Sequence, residues 1–88
     1  MLKMEFEFDP EKSKANLQKH GIDFVAAQKL WQDADRLEAP ARSEIEKRKM
    51  LIAKHDGKLW AAIFTERGEN VRIISVRRAR KNETQRYD

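Results

Sequence analysis

With 88 residues, 40% of them hydrophobic and 39% charged, the chain has the length of one domain, and such a chain removes only roughly 60% of its unfolded surface from water, so a thin core is expected: one sheet with helices on one side. The lack of cysteine excludes disulfides, a thiolate nucleophile and cysteine metal sites, no apolar run nears the roughly 20 residues that span a bilayer, and MLKMEFEFDP lacks a signal core; a soluble, cytoplasmic protein with no membrane role is expected. The net charge of +4 is uneven, with five Lys/Arg against six Asp/Glu over residues 1–33, seven against six over 34–66 and seven against three over 67–88, which points first to a polyanion partner for the last quarter, with a solvated strand and helix face bearing incidental arginines as the other reading of the charge alone.

Glu5-Phe6-Glu7-Phe8 alternates acid and aromatic, the period of a short, half-buried edge strand. Asp9 before Pro10 starts a helix, the carboxylate capping free N–H groups and Pro taking the first helical position. That helix runs to about His20, where Gly21 adopts the left-handed conformation that ends it. Asp23 caps a second helix whose stripe of Phe24, Ala27, Leu30 and Trp31 packs onto a sheet.

From Arg36 the period becomes strand-like. Arg36 to Ala39 forms a short strand before Pro40, residues 40–47 a charged loop, and Lys49 to Lys54 a buried strand. Asp56-Gly57 predicts a tight hairpin, because both central residues of a type I′ turn need positive φ. Leu59 to Thr65 returns, a turn with Gly68 follows, and Val71 to Arg77 completes an antiparallel meander. Arg80 to Tyr87 is a terminal helix or tail. The order β-α-α-β-β-β-β-α describes an α+β domain with two N-terminal helices packed on an antiparallel sheet.

Few chemistries fit these residues. His20 and His55 are the only histidines and neither has a second metal ligand at helical spacing; no paired-aspartate cluster stands out, so no metal and no cofactor are expected. G-x-G-x-x-G, P-loop and G-x-S-x-G patterns are absent. What stands out is the basic strand and tail from Arg67 to Tyr87. Strict alternation would send Arg72, Ile74, Val76 and Arg78 to one face and Val71, Ile73, Ser75 and Arg77 to the other. Five of the last quarter's cations are arginines between Arg67 and Arg80, whose planar guanidinium forks suit phosphate oxygens. RNA cleavage without metal needs a base for the 2′-hydroxyl, an acid for the leaving 5′-oxygen and cations for the charge on phosphorus. Arginine supplies only the last, leaving Glu66, His20, His55 or Tyr87 for proton transfer.

Phe6-Glu7-Phe8-Asp9-Pro10-Glu11-Lys12, Asn16, Lys19-His20-Gly21-Ile22, Phe24, Ala27, Thr65-Glu66-Arg67-Gly68, Arg72-Ile73-Ile74-Ser75-Val76-Arg77-Arg78-Ala79, Glu83 and Tyr87 together resemble the BrnT family of bacterial toxins. The resemblance covers nearly the whole chain in family order. It implies a RelE-like fold, a metal-independent endoribonuclease that cleaves RNA and arrests translation, and neutralisation by a ribbon-helix-helix BrnA-type antitoxin. It points to Glu66, Arg67, Arg72, Arg77, Arg78 and Tyr87 for catalysis, to Lys19, His20 and Arg80 for RNA binding, and to Glu83. Since one strand cannot aim every arginine at one site, Arg72, Arg77 and Arg78 are expected to divide between phosphate stabilisation and folding. A 2:2 complex is expected, in which an antitoxin dimer faces operator DNA and each half holds one toxin. The other reading is a non-catalytic nucleic-acid-binding or regulatory module with the same fold.

Overall fold

In a computed structural model, which describes residues 4–41 and 47–87, the chain runs β1 (Phe6–Glu7), α1 (Pro10–His20), α2 (Phe24–Ala27), a 3-10 turn (Gln28–Gln32), β2 (Leu37–Ala41), β3 (Arg48–His55), β4 (Lys58–Arg67), β5 (Asn70–Arg78) and α3 (Lys81–Tyr87). The class is α+β. Of the expected loop over 40–47, residues 42–46 lie outside the described residues, and Pro40 and Ala41 belong to β2, an edge strand where a missing N–H is tolerated.

Local signals set both ends of α1. The Asp9 carboxylate accepts from the Glu11 N–H at 2.9 Å, Pro10 opens the helix, and Gly21 closes it at φ 83°. Only Ser13 and Asn16 of this helix are buried, so it is held to the sheet by polar contacts rather than an apolar stripe. β1 pairs with β5 only at Val71 and Arg72, which leaves the outer edge of β5 without a strand further along. Asn16 fills that gap. Its side chain donates to the Val76 carbonyl at 2.9 Å and accepts from the Val76 N–H at 3.1 Å, and also donates to the Ile22 carbonyl at 2.8 Å. Each buried backbone group thereby regains the partner it would otherwise lack.

The expected second helix is one α-turn that tightens into the 3-10 turn. Asp23 caps it, accepting from the Ala26 N–H at 2.8 Å. The stripe survives, because residues three apart also share a face at three residues per turn, and Phe24, Ala27, Leu30 and Trp31 are all buried. Trp31 stands edge-on to Phe6 at 5.1 Å and to Phe64 at 5.2 Å, joining β1 and β4 through the core.

The sheet order is β1-β5-β4-β3-β2. β2 to β5 are antiparallel, but β1 runs parallel to β5, so the sheet is mixed and not the wholly antiparallel one expected. No hairpin links β1 to β5, and their relative direction is therefore set by packing. Asp56 and Gly57, at φ 55° and 75°, form the tight turn between β3 and β4.

The alternation expected for β5 fails at one residue. Ile63 pairs with Ser75 and Phe64 with Ile73, so Ile74 is an unpaired bulge. The extra residue lets Val71, Ile73 and Val76 all enter the core under α1 and α2. Arg72, Ser75 and Arg77 therefore share the second face, while Arg78 turns with Trp60 to the first. The expectation of helices on one side is also corrected: α3 lies on the second face against β3, where Ile52 and its β4 partner Ala61 are 1% and 0% exposed. Arg77 reaches α3 from beneath and binds Glu83 there.

Candidate functional site

The second face is covered by α3 at one end and carries a transverse row of polar side chains at the other. Thr65 pairs with Arg72, and Arg72 with Glu7; Arg48, paired on its other side with Ala41, stands one step beyond the Lys49–Phe64 pair and hence opposite Thr65. Two arginines thus flank Thr65 on one face, with backbones about 10 Å apart at two strand spacings. Thr65 is 5% exposed and its hydroxyl donates to the Lys47 carbonyl at 3.0 Å. Arg67 follows on the same face one pleat further along β4. Among the described residues Arg72 makes only a long ion pair, 3.8 Å from Nη1 to Glu7 Oε1. A surface of this kind grips an anion with guanidinium forks on a rigid platform.

At the α3 end the cations are committed to protein partners. Arg77 grips Glu83 with two hydrogen bonds of 2.7 and 2.8 Å, and Glu83 also accepts from the Arg80 N–H at 2.7 Å. The Arg77 guanidinium is the main reason that the Glu83 carboxyl falls to about 2, despite burial. Tyr87 donates to Asp33 Oδ2 at 2.6 Å, and the Lys54 N–H donates to the same oxygen at 2.7 Å. Burial pushes the Asp33 carboxyl up, but hydrogen bonds from Tyr87, Lys54 and Asp35 outweigh it and hold the group below the usual range. These contacts tie both ends of α3 to the sheet and to the end of the 3-10 turn.

The structure thus brings Arg67, Arg72, Arg77 and Tyr87 to one face and sends Glu66 and Arg78 to the other. Ala61, opposite Arg77, lies four residues along β4 from Thr65, opposite Arg72, so the two arginines are about 13 Å apart along the sheet. Glu66 bonds Lys49 at 2.6 Å, which raises the Lys49 ammonium above its ordinary value, and Glu38 is 3.8 Å from the same lysine. Arg78 stacks over Trp60 at 5.6 Å and lines a cleft of about 280 Å³ with His20, His55 and Lys58. Lys19 and Arg80 are exposed, Lys19 in the last turn of α1 and Arg80 just before α3.

Sequence reasoning missed Arg48 and Asp33. Arg48 had a signal: a two-residue turn at Asp56-Gly57 fixes every β3–β4 pair, and counting back from His55–Lys58 puts Arg48 opposite Thr65. Asp33 had none, because it meets Tyr87 across 54 residues. Among the described residues no three His, Asp or Glu side chains converge as a metal site requires, and no helix is long and apolar enough to cross a membrane.

No curated protein matches the chain. A family model described as "Ribonuclease toxin, BrnT, of type II toxin-antitoxin system" matches residues 8–83, from the end of the first strand through the carboxylate that holds α3. With the match spanning α1, α2 and strands β2 to β5, the arginine-bearing strand included, the chain belongs to the BrnT family of ribonuclease toxins of type II toxin–antitoxin systems.

Proposed function

We propose that the protein is a metal-independent endoribonuclease, a single RelE-like toxin domain over residues 1–88, that cuts RNA on the second face of its sheet and so stops translation in the cytoplasm. The observation that carries this is the arginine row around Thr65, beside a strand that holds Arg67, in a chain of a ribonuclease toxin family. Arg72 and Arg67 face the phosphate. Arg77 and Tyr87, each tied to a carboxylate, act as positioning residues that fix α3 beside that surface. Lys19, His20 and Arg80 extend RNA contacts beyond the face, and Arg78, with His20, offers a second contact at the Trp60 cleft.

The reaction is transesterification. The 2′-oxygen attacks phosphorus, its proton passes to a base, the 5′-oxygen leaves with a proton from an acid, and a 2′,3′-cyclic phosphate and a 5′-hydroxyl remain. Guanidinium groups stabilise the extra charge on the phosphorane oxygens but transfer no proton at neutral pH. Of the four groups able to transfer a proton, Glu66 lies on the first face and His20 and His55 at the Trp60 cleft, so Tyr87, besides holding α3, is the one that shares a face with Arg72.

Membership of a type II system implies an antitoxin partner. We assign it to the ribbon-helix-helix BrnA type, bound as a 2:2 complex whose dimer contacts operator DNA while covering the arginine face and competing with RNA phosphate. Incubation of pure protein with RNA in excess EDTA tests the central reading. Cleavage with cyclic phosphate ends is expected; activity that vanishes and returns with magnesium overturns it, and RNA binding without cleavage selects the non-catalytic module instead.

A further inference from the structure

We infer that Ser75 contacts the substrate at the RNA site, its hydroxyl donating a hydrogen bond to a non-bridging oxygen of the phosphodiester that Arg72 grips. This rests on the ribonuclease reading and adds to it a neutral donor beside the arginines. The strand register arranges the second face in transverse rows: Leu37, Ile52, Ala61 and Arg77 form one, and Ala39, Met50, Ile63 and Ser75 form the next. Thr65 and Arg72 belong to the row after that. α3 lies at the first row, where Ile52 and Ala61 are 1% and 0% exposed, whereas Ile63 and Ser75 in the second are only half-buried. Strict alternation would send Ser75 and Arg72 to opposite faces, and the extra residue at Ile74 brings them to the same one. Among the described residues the Ser75 hydroxyl makes no hydrogen bond, and it is not sealed from water. Its backbone is held firmly, because Ser75 pairs with Ile63 on β4 and Asn16 binds both backbone groups of the next residue, Val76. A fixed, unspent donor is what a substrate contact requires.

The neighbouring charges decide where the anion sits. Ser75 lies one pleat, about 7 Å, from Arg72 on one side and from Arg77 on the other. The Arg77 fork is filled by Glu83 through bonds of 2.7 and 2.8 Å. Among the described residues Arg72 donates no hydrogen bond, and its ion pair with Glu7 is 3.8 Å long. A phosphate at Ser75 therefore lies on the Arg72 side, where the hydroxyl and the guanidinium take different oxygens of one tetrahedral group. The opposing carboxylate, Glu7, is on the outer strand and 40% exposed, so water and salt weaken its repulsion. As the 2′-oxygen adds to phosphorus the non-bridging oxygens gain charge, and the hydrogen bond from Ser75 strengthens. Serine keeps its proton throughout and forms no covalent bond.

The test uses the full chain with Ser75→Ala, Ser75→Thr and Arg72→Ala. Single-turnover cleavage of single-stranded RNA is expected to fall roughly 10–100-fold in Ser75→Ala, as for loss of one hydrogen bond to a charged group, with Tm within about 2 °C of the wild type. Ser75→Thr keeps the hydroxyl and is expected to cut within about threefold of the wild-type rate. Sulfur in place of one non-bridging oxygen, a poorer acceptor, locates the contact. The wild type is expected to cut one phosphorothioate diastereomer more slowly than the other, and Ser75→Ala to lose most of that difference. Ser75→Ala cutting at the wild-type rate, or keeping the full difference between diastereomers, overturns the proposal. If Ser75→Ala melts well below the wild type, the diastereomer comparison decides alone, since it is made within each protein. Binding of a 2′-O-methylated oligonucleotide, which cannot be cut, is expected to weaken in both alanine variants, with a salt slope smaller by about 0.7 in Arg72→Ala only, because a neutral hydroxyl releases no counterion. Failure of the wild type to cut RNA refutes the ribonuclease reading; the uncleavable oligonucleotide then judges Ser75 by itself, weaker binding by Ser75→Ala supporting the contact and unchanged binding overturning it.

Discussion

Glu83→Gln removes one negative charge from the first turn of α3 and leaves the shape of the side chain. In the folded chain the Arg77 guanidinium holds the carboxyl at about 2 against an ordinary 4.5, which corresponds to about 3 kcal/mol of stability at neutral pH. The pair is well shielded, with Glu83 7% and Arg77 23% exposed, so solvent screening discounts this only slightly and a loss of about 2–3 kcal/mol is expected. For a domain of this size that lowers Tm by roughly 10–20 °C. The sign with pH follows from the depressed value: the contribution is whole above about pH 4.5 and disappears as pH falls through about 2. Thermal melts of both proteins from pH 7 to pH 2 measure it, with the gap in Tm closing on acidification because only the wild type has this carboxylate to lose. A gap within about 2 °C at pH 7, or one that stays constant down to pH 2, refutes the reasoning.

Asn16→Leu leaves the N–H and carbonyl of Val76 and the carbonyl of Ile22 buried without partners, and a loss of about 2–4 kcal/mol in chemical denaturation is expected; a loss below about 0.5 kcal/mol shows that α1 is held otherwise. Tyr87→Phe removes the donor to Asp33, so an NMR titration is expected to find the Asp33 carboxyl less acidic than in the wild type, with a stability cost of about 1 kcal/mol; an unchanged titration contradicts the hydrogen bond.

The parts of the fold that were legible in the sequence are those set by neighbours in the chain. Asp9-Pro10 and Gly21 bound α1, and Asp56-Gly57 makes the hairpin, because capping and positive φ are properties of two or three residues. The extra residue at Ile74 was not legible. Its placement depends on which of Val71, Ile73 and Val76 the core admits, and alternation alone sorted the arginines onto the wrong faces. The face taken by α3 was hidden for the same reason, since Arg77–Glu83 and Tyr87–Asp33 join residues on different elements. Arg48 lies between these cases: the hairpin already implied its register with Thr65, but which face the row takes depends on how the core sorts β4 and β5.

The central claim, that RNA is cut at the arginine-bearing second face, is tested most directly by comparing wild type and Arg72→Ala in EDTA on one RNA, with the chemical nature of the new ends determined. The account predicts 2′,3′-cyclic phosphate and 5′-hydroxyl ends from the wild type and a rate lower on the order of 10²-fold or more in Arg72→Ala at an unchanged Tm. Cleavage by natively folded Arg72→Ala at the wild-type rate, or ends bearing 3′-hydroxyl and 5′-phosphate, contradicts it.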